Sequence, residues 1–313
     1  LENKLGSRVV FVFLDGVGLA PPGPDNPFST VPMPHLMELL GGPLVLNGAV
    51  GRPEIRPHVM LHALDACLGV PGLPQSATGQ TALFTGLNAP AIVGDHITAH
   101  PTAPLREIIA EHSVMKRAAE SGARVLFANA HSARFWQGVD EGKLRLSAST
   151  LTALAAGATI PSLDDLLAGR AVLWDITHEV ARKFQEYDLP LVPAEEAGTR
   201  LARLADDYDL VLYESFLTDL AGHRRIDPAL VLARVDAFLG ALLAHRAAET
   251  TVVLSSDHGN LEDMSTKAHT SNPVPLLVVG PAADQFRQAV AITDVAPAIL
   301  SALDCEHGRR SAR

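Results

Sequence analysis

The clearest pattern in the chain is a series of short, continuous apolar runs separated by stretches with helical spacing. Val9–Leu14 (VVFVFL) has no polar residue on either alternating face, so it predicts a strand buried on both sides. Arg124–Ala128, Ala171–Trp174, Leu210–Tyr213, Thr251–Leu254 and Pro275–Val279 read the same way. Between them, apolar residues recurring every three or four positions predict helices over Pro34–Leu40, Pro104–Glu120, Glu195–Asp206, Asp227–Ala247 and from Thr293 to Leu303. Asp227 followed by Pro228 is a capped start, because the carboxylate accepts from a free helical N–H and proline lacks one. Strands alternating with helices predict an α/β fold with a mostly parallel central sheet flanked by helices. Residues 1–90 and 207–313 hold the cleanest units and are expected to form the core domain. The stretch 91–206 is richer in Ala and Arg and is expected to be a smaller inserted cap region.

Composition narrows the partners. The chain of 313 residues has 25 basic and 35 acidic side chains, a net charge of −10, which argues against nucleic acid as a main partner. With 47% hydrophobic and 19% charged residues it is globular rather than disordered. No apolar run approaches the ~20 residues of a membrane span, so no membrane partner is expected. The opening LENKLGSR has no signal-peptide pattern. Two cysteines, Cys67 and Cys305, make no disulfide framework, and a reducing, cytoplasmic setting is the expectation. Histidine is abundant, at 13 residues, so the positions of these side chains decide what they mean.

Several of them sit with carboxylates at predicted strand ends, where an open α/β sheet gathers its ligands. Asp15 follows Val9–Leu14 directly and precedes Gly16-Val17-Gly18, which permits close backbone approach. Asp257 and His258 follow Thr251–Leu254 in SSDHGN. Asp219 and His223 follow Leu210–Tyr213 at a spacing of four, which puts both on one face of a helical turn. His269 lies in KAHTSNPVP, before the Pro275–Val279 run. Carboxylate and imidazole together suit Zn²⁺ or Mn²⁺. Each element also has an ordinary reading, as a turn, a surface histidine or a chance DxxxH. Ser76, in QSATGQ, precedes a helical stretch, where free N–H groups favour phosphate; its ordinary reading is a helix cap. Three aspartates and a Ser76 alkoxide would balance two divalent cations.

Taken together and in order, LDGVG, QSATGQ, DLAGH, SSDHGN and HTSNPVP resemble the metalloenzyme domain of the alkaline phosphatase superfamily. The chain is most similar there to cofactor-independent phosphoglycerate mutase and phosphopentomutase. The resemblance covers roughly the first 90 and last 105 residues. It implies a mostly parallel sheet with two metal ions at the strand ends, usually manganese or zinc. It implies that Asp15, Ser76, Asp257 and His258 hold one ion, and that Asp219, His223 and His269 hold the other. Ser76 resembles the nucleophile that takes up the phosphoryl group, ahead of the nearby Thr78. Asn260 is expected to orient phosphate or a ligand. The chain departs from the mutases in being shorter, in lacking a matching arginine cluster, and in carrying QSATGQ where they have an NSEVGH-type segment.

The expected function is metal-dependent phosphoryl transfer, most simply hydrolysis of a small phosphate or related ester through Ser76. The alternatives are an intramolecular phosphomutase and a non-catalytic metal-binding protein on the same fold. For the substrate, Asn129, His131 and Arg134 in ANAHSARFW are candidates, Arg134 because a guanidinium pairs well with an anion. Asp175 and His178, in WDITHE, end another predicted strand and have either a cleft or a structural role.

Overall fold

The computed structural model describes residues 7–49, 54–185 and 188–303, so Cys305 lies outside the described residues. Its strands are β1 (Arg8–Leu14), β2 (Glu54–Arg56), β3 (Val59–Leu64), β4 (Val125–Phe127), β5 (Leu210–Ser215), β6 (Thr250–Ser255) and β7 (Val274–Val279). They form one seven-stranded sheet in the order β2-β3-β7-β6-β1-β5-β4. Strand β1 pairs in parallel with β5 and β6, and β5 with β4, whereas β6–β7, β7–β3 and β3–β2 are antiparallel. Five strands thus point one way while β2 and β7 oppose them, so the sheet is mixed. On the antiparallel side the apolar pattern shows β7 but not β2 or β3. β2 is three residues long with Glu54 and Arg56 facing out, and β3 carries His62 and Ala63 in place of a β-branched run.

Alternation along β1 creates two layers. Val10, Val12 and Leu14 enter one core, while Val9, Phe11 and Phe13 enter the other. Against the sheet pack α1 (Pro34–Leu40), α2 (Ser76–Thr85), α3 (Ala103–His112), α4 (Val114–Glu120), α6 (Ala148–Ala155), α7 (Ala194–Leu204), α8 (Leu217–Gly222), α9 (Pro228–His245) and α10 (Val295–Ala302), while α5 (Ala133–Asp140) has no buried residue. The first core takes in Leu36 of α1, Leu201 of α7 and Val235 of α9; the second takes in Leu83 of α2, Ile109 of α3, Met115 of α4 and Ile299 of α10. Helix α9 begins as expected, with the Asp227 carboxylate accepting from Ala229 N at 2.9 Å. It is long and apolar enough to cross a membrane by length and composition, and half of that stretch is buried inside the fold. Its close partner is α7: a Cβ on Gly198 would lie 2.1 Å from the Phe238 carbonyl oxygen, so the two backbones touch there.

Two expectations change here. The single helix expected over Pro104–Glu120 breaks at Ser113, whose backbone leaves the helical region and whose hydroxyl accepts from Lys116 N to start α4. The Ala171–Trp174 run meets β4's extension through one parallel bridge, Asn129 to Val172, without a longer ladder. Residues 91–206, set apart above as a cap, supply β4 to the sheet, α3, α4 and α6 to one layer and α7 to the other. These elements share the two cores, while Ala130, Leu166, Ala171, Leu173, Ala181 and Leu189 form a third, smaller cluster within the same stretch.

Candidate metal centre

The register of the central strands brings the carboxylates together. Phe13 pairs with Glu214 on one side and Ser255 on the other, so the residues that follow leave the sheet side by side. Asp15 is fixed there by three neighbours. Its N–H donates to the Ser215 carbonyl at 3.0 Å, its carbonyl accepts from Thr218 Oγ1 at 2.5 Å, and its Oδ2 accepts from Gln80 Nε2 at 3.2 Å. The next residue must be glycine on two counts: Gly16 has φ +72°, and a Cβ there would lie 2.9 Å from Asp219 Oδ1.

Ser76 opens α2 but does not cap it. Gln75 occupies the capping position without a side-chain bond, which leaves the Ser76 hydroxyl free to face the centre. Its Oγ lies 3.1 Å from His258 Nε2. Helix α2 can approach this closely because Gly79 passes the Asp257 backbone, where a Cβ would stand 2.7 Å from the carbonyl oxygen. The expected free amides at this helix start are not all free: Ala77 N and Thr78 N both donate to the Ile97 carbonyl, at 3.1 and 3.4 Å. Thr78 is committed as well, its hydroxyl donating to Gln75 O and accepting from Ile97 N.

Asp219 and His223 share one face of a helical turn, as their spacing predicts, with His223 Nε2 3.4 Å from Asp219 Oδ1. His269 Nε2 lies 3.8 Å from the same oxygen, and the His258 and His269 rings stack with centroids 3.7 Å apart. His258 Nε2 is 3.2 Å from Asp15 Oδ1 and 3.5 Å from Asp257 Oδ2. All three imidazoles are held alike. Nδ1 of His223, His258 and His269 faces a backbone carbonyl, of Lys267, Gly259 and Pro74 respectively, which turns each Nε2 inward.

The donor set fits divalent cations. Ligand atoms of Asp15, Asp257 and His258 lie within 4.8 Å of one another, as do those of Asp219, His258 and His269. Asp15 Oδ1 and Asp257 Oδ2 are buried without a hydrogen-bond donor. Two buried carboxylates and a third nearby are an excess of negative charge that the protein itself does not neutralise. Burial, then repulsion from Asp257, pushes the Asp15 carboxyl well above the usual range; burial likewise raises Asp257. Burial works against charge on His258, but Asp257 and Asp15 outweigh it and carry the imidazole up to about 10. His269 goes the other way, to about 4, through burial and the neighbouring His258. The cluster retains protons where cations would otherwise balance it. His258 reaches toward both aspartate groups, while the division of the seven ligands between two ions comes from the resemblance.

The residues expected to meet substrate have these surroundings. Asn260 is fully buried, and its Nδ2 donates to Asp219 Oδ1 at 2.7 Å, so it orients the Asp219 carboxylate. Asn129 is tied to the Glu214 backbone in both directions, at 2.9 Å each, and extends the β4–β5 pairing. Arg134 is exposed on α5. Asp175 accepts from the His178 and Ala181 amides, and His178 Nδ1 faces Pro190 O, so both shape a loop. Two residues carry parts the sequence reading did not assign. Gln80, one turn beyond Ser76, holds Asp15. Glu262 is buried and accepts from Gly18 N, Asn260 N, Asn272 Nδ2 and the Thr270 hydroxyl, fastening the Asp15 and Asp257 loops together. Gln and Glu are ordinary residue types, and only their spacing from Ser76 and SSDHGN hints at these roles.

At the same end of the sheet a cavity of 510 Å³ opens beside Glu214, with Phe135, Trp174 and Phe216 among its walls. Burial raises the Glu214 carboxyl to about 7, and the Ser149 hydroxyl donates to its Oε2. His131 also faces the cavity; burial lowers it to about 4, and its Nε2 meets Thr150 Oγ1 at 3.0 Å.

Residues 187–307 match the family model of the Metalloenzyme superfamily. Over 132 residues, 39% of this chain, the sequence is 36% identical to the 2,3-bisphosphoglycerate-independent phosphoglycerate mutase of Desulforudis audaxviator (strain MP104C). That segment is 26% of the mutase, so the chain matches about a quarter of this curated relative's length. The fold is similar to that of the PH0037 protein from Pyrococcus horikoshii, at 16% identity, 96% and 98% coverage of the two chains and a TM-score of 0.57. It is also similar to alkaline phosphatase from Thermus thermophilus, at 13% identity, 96% and 92% coverage and a TM-score of 0.55. The stretch 187–307, which bears Asp219, His223, Asp257, His258 and His269, therefore matches the Metalloenzyme superfamily model, and the chain's α/β fold is similar to that of an alkaline phosphatase.

Proposed function

We propose that this protein transfers the phosphoryl group of a small phosphate ester to Ser76 and hydrolyses the product. The observation that carries this reading is the Ser76 hydroxyl, released from helix capping and set 3.1 Å from His258 Nε2 among carboxylates with undonated oxygens. Asp15, Ser76, Asp257 and His258 would hold one divalent ion, manganese or zinc, and Asp219, His223 and His269 a second. Such ions supply a Lewis acid that lowers the serine pKa and offsets charge on phosphate and leaving group. Ser76 loses its proton to water and its oxygen attacks phosphorus in line; the Ser76 O–P bond forms, the ester P–O bond breaks, and the leaving alkoxide takes up a proton from water, so no net proton is gained or lost. A water molecule then attacks the phosphoserine, releasing phosphate and restoring the Ser76 hydroxyl. Gln80 and Asn260 keep Asp15 and Asp219 in place through both steps.

A second reading is an intramolecular mutase, in which another hydroxyl of the same substrate takes the phosphoryl group from Ser76. The identity to a phosphoglycerate mutase favours it. A ³¹P NMR time course of the metal-loaded protein with phosphate monoesters, including phosphoglycerates and pentose phosphates, distinguishes the two. Free phosphate is the expected product, and a positional isomer instead would establish the mutase. Turnover that survives in Ser76→Ala would remove Ser76 from the reaction.

A further inference from the structure

Resting on the phosphoryl-transfer reading above, we propose that the cavity beside Glu214 receives the alcohol part of the substrate, and that this part is a flat aromatic ring carrying a hydroxyl or amino group. The cavity is of ligand size, within the ~300–1,000 Å³ of small-molecule pockets. Its walls are ring faces already set against one another. Trp174 and Phe216 have centroids 6.1 Å apart at 50°, and Phe135 stacks on His131 at 4.3 Å. Such faces receive a planar ring in stacked or edge-on contact. The buried Glu214 carboxyl and the His131–Thr150 pair supply a few fixed polar groups that would meet one polar substituent on that ring.

Two connections join the cavity to the metal centre. Phe216 is a wall residue and stands one helical turn before Asp219. His100 is another wall residue, three positions after Ile97, whose carbonyl holds the first amides of the Ser76 helix. A ring in the cavity and a phosphate at the centre can therefore belong to one molecule. The lining's cations among the described residues are Lys143 and Arg145, both exposed.

The chain's two tryptophans give a direct readout. Trp174 lines the cavity, and Trp136 packs edge-on against His131 with centroids 5.7 Å apart. Titrating the full chain with 2-phenylethanol, which carries no phosphate, should change tryptophan emission saturably, while 1,2-propanediol should not. Leu144→Trp, at an exposed rim position, should block the titration, with its own added tryptophan taken as the starting emission. In the metal-loaded protein, Trp174→Leu should lower kcat/KM for an aryl phosphate such as 4-nitrophenyl phosphate by about tenfold. The same variant should lower that for glycerol 1-phosphate by a clearly smaller factor, because glycerol offers no ring to the Trp174 face. Absence of a saturable change, or equal loss on both esters, would overturn the proposal. The emission titration needs neither metal nor turnover. Binding that persists in Ser76→Ala beside lost turnover supports both readings; binding with turnover also intact sinks the nucleophile alone.

Discussion

The Ser76 hydroxyl oxygen lies 3.1 Å from Nε2 of His258, a residue 182 positions further along the chain. The contact exists because α2 runs up against the turn after β6, with Gly79 at the crossing. The two residues are thus one local unit in space, and what disturbs one is felt by the other.

The first prediction concerns that crossing. Gly→Ala inside a helix ordinarily stabilises by about 1 kcal/mol. At Gly79 the new methyl would meet the Asp257 carbonyl at 2.7 Å, and α2 must move away from the centre. Gly79→Ala should lower the melting temperature, by about 1–3 kcal/mol of stability as for an overpacked core. It should also weaken metal binding. Thermal denaturation and metal titration check both parts.

A second prediction follows from the undonated carboxylate oxygens. Adding Mn²⁺ or Zn²⁺ to chelator-treated protein should raise the melting temperature, by the equivalent of about 3 kcal/mol at a hundredfold excess over Kd. Asp257→Asn removes one of the repelling buried charges. It should raise the melting temperature of the metal-free protein and shrink the gain on adding metal. Differential scanning fluorimetry of both proteins, with and without metal, decides it.

Gln80 offers a third test, because it touches no proposed substrate group. Its amide holds Asp15 Oδ2 at 3.2 Å. Gln80→Leu keeps the helix and removes that donor, and metal affinity should fall about 10- to 100-fold, as for other residues that orient ligands. Calorimetric titration with Mn²⁺ would show it, and an unchanged affinity would reduce Gln80 to packing.

The fourth concerns pH. Glu214 is buried and its carboxyl sits at about 7, raised from 4.5 by desolvation. A raised acid favours the folded state while protonated. Its contribution is complete below the unfolded pKa and is lost as pH rises through about 7. Glu214→Gln should therefore be more stable than the parent at about pH 8, by on the order of 3 kcal/mol, with little difference near about pH 4. His131, lowered by burial to about 4, has the opposite sign and its contribution is lost as pH falls from 6.5 through that value. Denaturant melts across this range test both signs.

Much of the frame is readable in the residues themselves. β1 and β6 are buried on both faces, so their apolar runs are unbroken and the acids at their ends stand out. Asp219 and His223 are legible because a helical turn fixes their relation locally. What is hidden depends on partners far along the chain. β3 reads poorly because it takes its place from β7 rather than from its own side chains. Asn129 looks like a polar tip after a strand, yet the Glu214 backbone fully engages its side chain. Glu262 becomes a clasp only once Gly18 and Thr270 arrive beside it.

The proposed ligands run from Asp15, at the end of the first strand, to His269, just before the last. During synthesis the proposed centre therefore remains incomplete until His269 has been made. A growing chain has DGVG and the Ser76 helix early, but neither Asp219 nor the SSDHGN turn to close around an ion. On the proposed ligand set, metal capture would be a late event that ties the end of β1 to the stretch before β7.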